Sequence, residues 1–161
     1  MSKPSINLPL PVPHFEQEHG NSCLPACVRM VLSFSGTELT ELALRKVLKT
    51  KPAGTNPFNV THLKELGFEA RISFSNLEEL KSFLSQSKPA IAVLWTGNLG
   101  HWNSTKYFDY LHTVVAIGFD QEGILVNDPA FSNHPIAIPF AEFLEAWSYS
   151  QQMLVIVERP Q

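Results

Sequence analysis

Of the two thiols in the chain, Cys23 and Cys27, only Cys23 sits where a thiol becomes a reagent. Cys27, Val28, Val31, Leu32 and Phe34 recur at helical spacing, and Cys23 opens that pattern. Asn21 or Ser22 can cap the helix, and Pro25 is tolerated because it falls in the first turn. A thiol there feels the positive end of the helix dipole, which favours the nucleophilic thiolate. A thiolate needs a base, and the base needs a group to orient it. His112 opens the apolar run Thr113-Val114-Val115-Ala116-Ile117, and Asp128 closes the next one. The turn Asp120-Gln121-Glu122-Gly123 between them makes the two runs antiparallel neighbours, so His112 and Asp128 fall at the same sheet edge. An imidazole paired with a carboxylate keeps the required tautomer and gains basicity. Gln17 stands six residues before Cys23. Its side-chain amide and the Cys23 backbone N–H could together hold an oxyanion.

Other histidines and the second thiol read differently. Cys27 lies one turn on, on the apolar face with Val31, and is expected in the core. A metal site from Cys23 and Cys27 lacks a second Cys/His pair at comparable spacing. His101, in Gly100-His101-Trp102, is a rival base, ranked below His112 because it lacks the strand register with Asp128; a loop or substrate contact is the expectation for it. His14, His19, His62 and His134 belong to no constellation and read as surface or capping residues.

The elements that must position these groups follow from periodicity. Residues 1–16 are proline-rich and aperiodic, an extended lead-in. A first helix runs from Cys23 to Phe34 with Gly36 as its stop, and a second over Thr37 to Leu48. A third spans Asn56 to Leu66, with Asn56 as cap and Pro57 at its first position. Then come a strand (Phe68 to Phe74), a helix capped by Asn76 and three apolar strands (Ala90 to Trp95, His112 to Phe119, Gly123 to Asn127). A short helix (Phe140 to Trp147) and a last strand (Met153 to Val157) follow. Gly97 to Tyr110 is a polar and aromatic loop carrying His101, Trp102, Tyr107, Phe108 and Tyr110. It either packs on the sheet or gates substrate, since long loops in compact domains are often functional. Helices first and antiparallel strands after give an α+β domain.

The 161 residues, 44% hydrophobic, suit a single domain. A net charge of −3 offers no basic surface for nucleic acid. The N-terminus has no signal-like apolar run, and no stretch approaches the ~18 apolar residues of a membrane span. A cytoplasmic protein is the expectation, and two unpaired thiols fit it.

Gln17-x5-Cys23 followed by Leu24-Pro25-Ala26-Cys27-Val28-Arg29-Met30-Val31-Leu32 resembles the opening of the bacteriocin-processing peptidases. These are papain-like domains that cleave double-glycine leader peptides and are often fused to export transporters. His112-Thr-Val-Val-Ala-Ile-Gly and Asn127-Asp128-Pro129-Ala130 resemble their His and Asp blocks, and the likeness covers about residues 14 to 157. The resemblance implies a papain-like fold over the whole chain, with Cys23 as nucleophile, His112 as base, Asp128 as orienter and Gln17 as oxyanion donor. It implies a peptide or protein substrate; this chemistry needs no cofactor or metal. Association with a transporter is a family trait that the chain's own residues do not carry. The family commonly has Asp-Cys-Gly where this chain has Ser22-Cys23-Leu24, and Leu24 narrows the cleft beside the nucleophile. Asn21, Leu24, His101 and Trp102 are the candidate substrate contacts.

Three activities fit these residues: a peptidase, an acyl or peptidyl transferase on the same triad, and a silent domain that only binds peptide. The complete Gln17, Cys23, His112 and Asp128 set favours catalysis, and hydrolysis is the leading expectation.

Overall fold

A computed structural model describes residues 9–103 and 108–160. Residues 1–8 of the lead-in and Tyr107 of the aromatic loop lie outside the described residues. Three helical segments come first: α1 (Cys23–Phe34), α2 (Glu41–Val47) and a 3-10 helix over Pro57–Leu66. They are followed by β1 (Glu69–Phe74), α3 (Leu77–Ser85) and β2 (Ala90–Trp95). Two short 3-10 turns, Thr96–Asn98 and Gly100–Trp102, begin the connection to β3 (Leu111–Phe119). The chain finishes with β4 (Gly123–Asn127), β5 (Ile136–Pro139), α4 (Phe140–Ser148) and β6 (Met153–Glu158).

The six strands form one antiparallel sheet in the order β1-β6-β2-β3-β4-β5. Its alternating side chains serve two cores. Ile91, Val115, Ile117 and Val155 pack under α1, α2 and the 3-10 helix, against Leu24, Cys27, Val28 and Leu44. Ala92, Leu94, Val114, Ala116 and Leu154 point the other way, against Leu80 and Leu84 of α3 and Phe143 and Trp147 of α4. The N-terminal helices therefore cover only one face, and α3 and α4 close the other. A sheet buried on both faces explains why β2 and β3 read as continuous apolar runs.

Three expectations change in detail. The second helix starts at Glu41 and not at Thr37, because Thr40 is its cap and accepts from the Ala43 N–H. The third is a 3-10 helix; Asn56 caps it as expected, but it buries only Val60 and Leu63, too little apolar face to hold a full α-helix. β5 was not expected. It is four residues long, follows Pro135 and ends on Pro139, and pairs with β4 alone among the described strands.

The lead-in is stitched to the sheet. Leu10 N–H donates to the Ile117 carbonyl at 2.7 Å, and Asn127 Nδ2 to the Val12 carbonyl at 3.0 Å. Gly118 lets Pro9 approach, since an added Cβ would stand 3.0 Å from the Pro9 Cα. Gln17 N–H reaches the Pro129 carbonyl at 2.8 Å, so the strap ends beside Asp128 and turns into α1.

Candidate active site

α1 begins at Cys23, with Ser22 at the cap position. Neither expected capping side chain bonds the helix N–H groups. The single Ser22 hydroxyl proton is shared between the His19 carbonyl (2.9 Å from Oγ) and Glu41 Oε1 (3.1 Å), and Asn21 Nδ2 donates to the Lys51 carbonyl at 2.8 Å. Glu41 is buried, ion-paired to Arg45 at 3.3 Å, and also accepts from Glu18 N–H at 2.9 Å. One carboxylate of α2 thus fixes the backbone that presents Cys23.

β3 brings in His112 and β4 ends one residue before Asp128. The register pairs Val115 with Asn127, which sets both groups at the same end of the sheet. His112 Nε2 lies 2.7 Å from Asp128 Oδ1, and both side chains are sealed from solvent. The thiol of half-buried Cys23 hydrogen-bonds His112. Since Nε2 is engaged, Nδ1 is the ring nitrogen left to face sulfur.

Electrostatics follow from this arrangement. Burial alone would push the Cys23 thiol up; the hydrogen bond and charge of His112, with hydrogen bonds from Thr113, reverse this and hold it at about 7. Burial alone would likewise neutralise His112; the charge and hydrogen bond of Asp128, joined by Cys23, carry it up to about 10. Asp128 resists its own burial through His112 and two further donors, and its carboxyl is held well below the usual carboxylate range. The three groups together form a thiolate–imidazolium–carboxylate array near neutral pH. Cys27, one turn along, is fully buried, and that burial drives its thiol well above the ordinary value; it contacts the Thr113 carbonyl at 3.4 Å.

A cleft of about 290 Å³ opens over the thiol, lined by Cys23, Asn21, Leu24, Gly54, Tyr110 and Leu111 among others. A wider groove of about 690 Å³, between the end of α1 and β6, contains none of these groups. Asn21 and Leu24 thus border the cleft, while Leu24 also packs in the α1 core. His101 and Trp102 do not border it. His101 Nε2 lies 2.8 Å from Asp128 Oδ2, and buried Trp102 donates its indole N–H to the same oxygen at 3.0 Å. Both rings thus meet Asp128, because the loop folds inward at Gly100–Trp102. Strand register, which ranked His101 low, is silent about such a fold-back.

Gln17 stands in the lead-in with its Nε2 donating to the His19 carbonyl at 2.7 Å and its Oε1 buried without a hydrogen-bond partner among the described residues. Tyr110, named from sequence only as one of the loop's aromatic residues, and Thr113 were not among the candidate site residues. Tyr110 borders the cleft and its phenol is raised by burial and by the nearby Cys23 and Asp128 charges. Thr113 touches both thiols, and its signal is simply its place after His112 on β3. His14 Nε2 meets the Asp128 carbonyl at 3.0 Å and stacks on His134, its ring centroid 4.5 Å away. Among the described residues no group of three or more His, Cys, Asp and Glu could hold a metal ion, and no helix is long and apolar enough to cross a membrane.

Known structures share this architecture. The peptidase domain of Streptococcus ComA, a bi-functional ABC transporter involved in quorum sensing, matches with a TM-score of 0.74 at 20% identity, over 92% of this chain and 99% of that one. A double glycine motif protease from an AMS/PCAT transporter, solved in complex with the leader peptide, matches with a TM-score of 0.72 at 24% identity, over 94% of each chain. The N-terminal peptidase C39 like domain of a toxin secretion ATP-binding protein from Vibrio parahaemolyticus matches with a TM-score of 0.62 at 19% identity, over 88% of this chain and 99% of that one. At these identities the likeness is one of fold, the papain-like α+β fold. No curated protein matches the chain in sequence. The model of the Peptidase_C39 like family does match it, over residues 9–155, and the chain belongs to that family.

Proposed function

We propose that this domain is a cysteine peptidase that hydrolyses a peptide bond with Cys23 as nucleophile, His112 as acid and base, and Asp128 as orienter. The observation that carries this reading is the hydrogen-bonded run from the Cys23 thiol through His112 to Asp128, with the thiol at the floor of an open cleft. Cys23 sulfur adds to the peptide carbonyl carbon, and the carbonyl oxygen takes the negative charge. The Cys23 backbone N–H, in the first turn and without an intrahelical acceptor, is one donor for that oxygen. Gln17 is the second, once its amide turns from the His19 carbonyl. His112 gives its proton to the leaving amine, and the C–N bond breaks to leave a thioester on Cys23. Water, deprotonated by His112, then adds to the thioester; the acid product departs and the thiolate is restored.

The substrate class is a peptide threaded past Asn21 and Leu24. Double-glycine leaders are the first to test, because one relative of the same fold was solved with its leader peptide bound. The test incubates the protein with a leader-peptide library, with and without an added amine, and reads products by mass spectrometry. Hydrolysis products that vanish in Cys23→Ala are expected. Amine adducts with little hydrolysis would make the domain a transferase on the same triad, and no products of either kind would leave it a peptide-binding domain.

A further inference from the structure

Asp128 holds more donors than a triad requires. A carboxylate offers about four lone-pair sites. Oδ1 takes His112 Nε2 at 2.7 Å and Ala130 N–H at 2.9 Å, and Oδ2 takes His101 Nε2 at 2.8 Å and Trp102 Nε1 at 3.0 Å. The side chain is wholly buried, so no water can substitute for a missing donor without opening the site.

We propose that His101 is a positioning residue: it grips Asp128 Oδ2 so that Oδ1 stays aligned on His112, and so acts on Cys23 through two intermediaries. The inference rests on the peptidase reading above and deepens it. An aspartate held at one oxygen can pivot about its Cβ–Cγ bond. Donors on both oxygens remove that freedom, and His112 inherits the fixed direction. His101 is itself built in. Gly100 N–H donates to Glu142 Oε1 of α4 at 2.8 Å, and a Cβ added at Gly100 would stand 3.1 Å from that oxygen. Leu99 and Trp102 on either side of the turn are buried, and the Phe131 ring meets the imidazole at an edge, 5.1 Å between centroids. His101 is no second base: its Nε2 is committed to Asp128 and the ring does not border the cleft that holds Cys23.

The experiment compares iodoacetamide labelling of Cys23 across pH 5–9 in the wild type, His101→Leu and His101→Gln. Leucine keeps bulk without a donor, and glutamine returns a donor near the Nε2 position. His101→Leu is expected to slow labelling at pH 7 about tenfold and to shift the pH profile, while His101→Gln stays within about twofold of wild type. A folded His101→Leu protein with the wild-type profile, or equal losses in both variants, overturns the inference. If His101→Leu does not fold, nitrogen-15 histidine spectra of the wild type decide: a hydrogen-bonded Nε2–H on His101 supports the grip, and an unprotonated Nε2 overturns it. Wild-type Cys23 labelling no faster than Cys27 would instead sink the peptidase reading itself, whereas an activated Cys23 indifferent to His101 sinks only this inference.

Discussion

On the helical wall of the cleft, polar anchors hold backbone: Glu41 grips Glu18 N–H and the Ser22 hydroxyl, Asn21 ties to Lys51, and the Cys23 side chain is left half-exposed. On the sheet wall the anchors hold side chains: His112 and Asp128 are sealed, and Asp128 accepts four hydrogen bonds. The difference matches what the proposed peptidase chemistry would ask of each wall. A nucleophile must move a fraction of an ångström toward a carbonyl, whereas the base must not change its aim. Freedom is therefore kept at sulfur and removed from the imidazole and the carboxylate.

Removing the sheet wall's reach across the cleft should have the largest effect on this contrast. With His112→Ala, the Cys23 thiol loses the partner that brings it to about 7 and returns at least to the ~8.5 of a free thiol. The thiolate fraction at pH 7 then falls about fifteenfold or more, and iodoacetamide labelling of Cys23 should slow in step. Unchanged labelling would mean that the helix start alone activates the thiol.

The pH dependence of stability separates the two walls next. His112 is raised to about 10 when folded, against ~6.5 unfolded, so its contribution is full below pH 6.5 and is lost as pH climbs through 10. Cys23 is lowered to about 7, against ~8.5 unfolded, so its contribution is full above pH 8.5 and is lost as pH drops through 7. The slopes oppose each other between pH 7 and 8.5, and wild-type Tm should be nearly level there. In Cys23→Ala only the His112 slope remains, because Asp128 is the stronger cause of its charge, and Tm should decline across that interval. Thermal melts at half-unit pH steps check this, and a level profile in the variant would remove the ion pair from the account.

The smallest effect belongs to Cys27→Ala. It should cost about 1 kcal/mol of stability through a small void under β3 and leave the rate of Cys23 labelling unchanged. A changed rate would mean that the helical wall is less independent of its core than the geometry implies.

Much of this contrast was legible from residue order. Apolar spacing placed the start of α1 at Cys23, and the turn after Phe119 put His112 and Asp128 at one sheet end, because local periodicity and turn chemistry decide both. What stayed hidden depends on long-range approach. The fold-back that brings His101 and Trp102 onto Asp128 has no periodicity. Ser22 looks like a cap by type, yet a glutamate nineteen residues away claims its hydroxyl. β5, four residues that follow Pro135 and end on Pro139, is too short for alternation to register. Which face α3 and α4 would cover was equally undecided, since an apolar run on a doubly buried strand does not say which neighbour meets which side.

The position of β6 has a temporal consequence. This strand follows the other five described strands in the sequence, yet it lies between β1 and β2, sending Val155 beneath α1 and Leu154 to the opposite core. During synthesis, Cys23 emerges long before His112 and Asp128, which β3 and β4 bring to one sheet end, and β1 joins their sheet only through β6. Until then the thiol has no imidazolium beside it and is an ordinary, mostly protonated cysteine. On the peptidase reading, the reactive thiolate is thus a product of folding rather than of Cys23 alone, and a nascent chain would be spared from attacking the peptides around it.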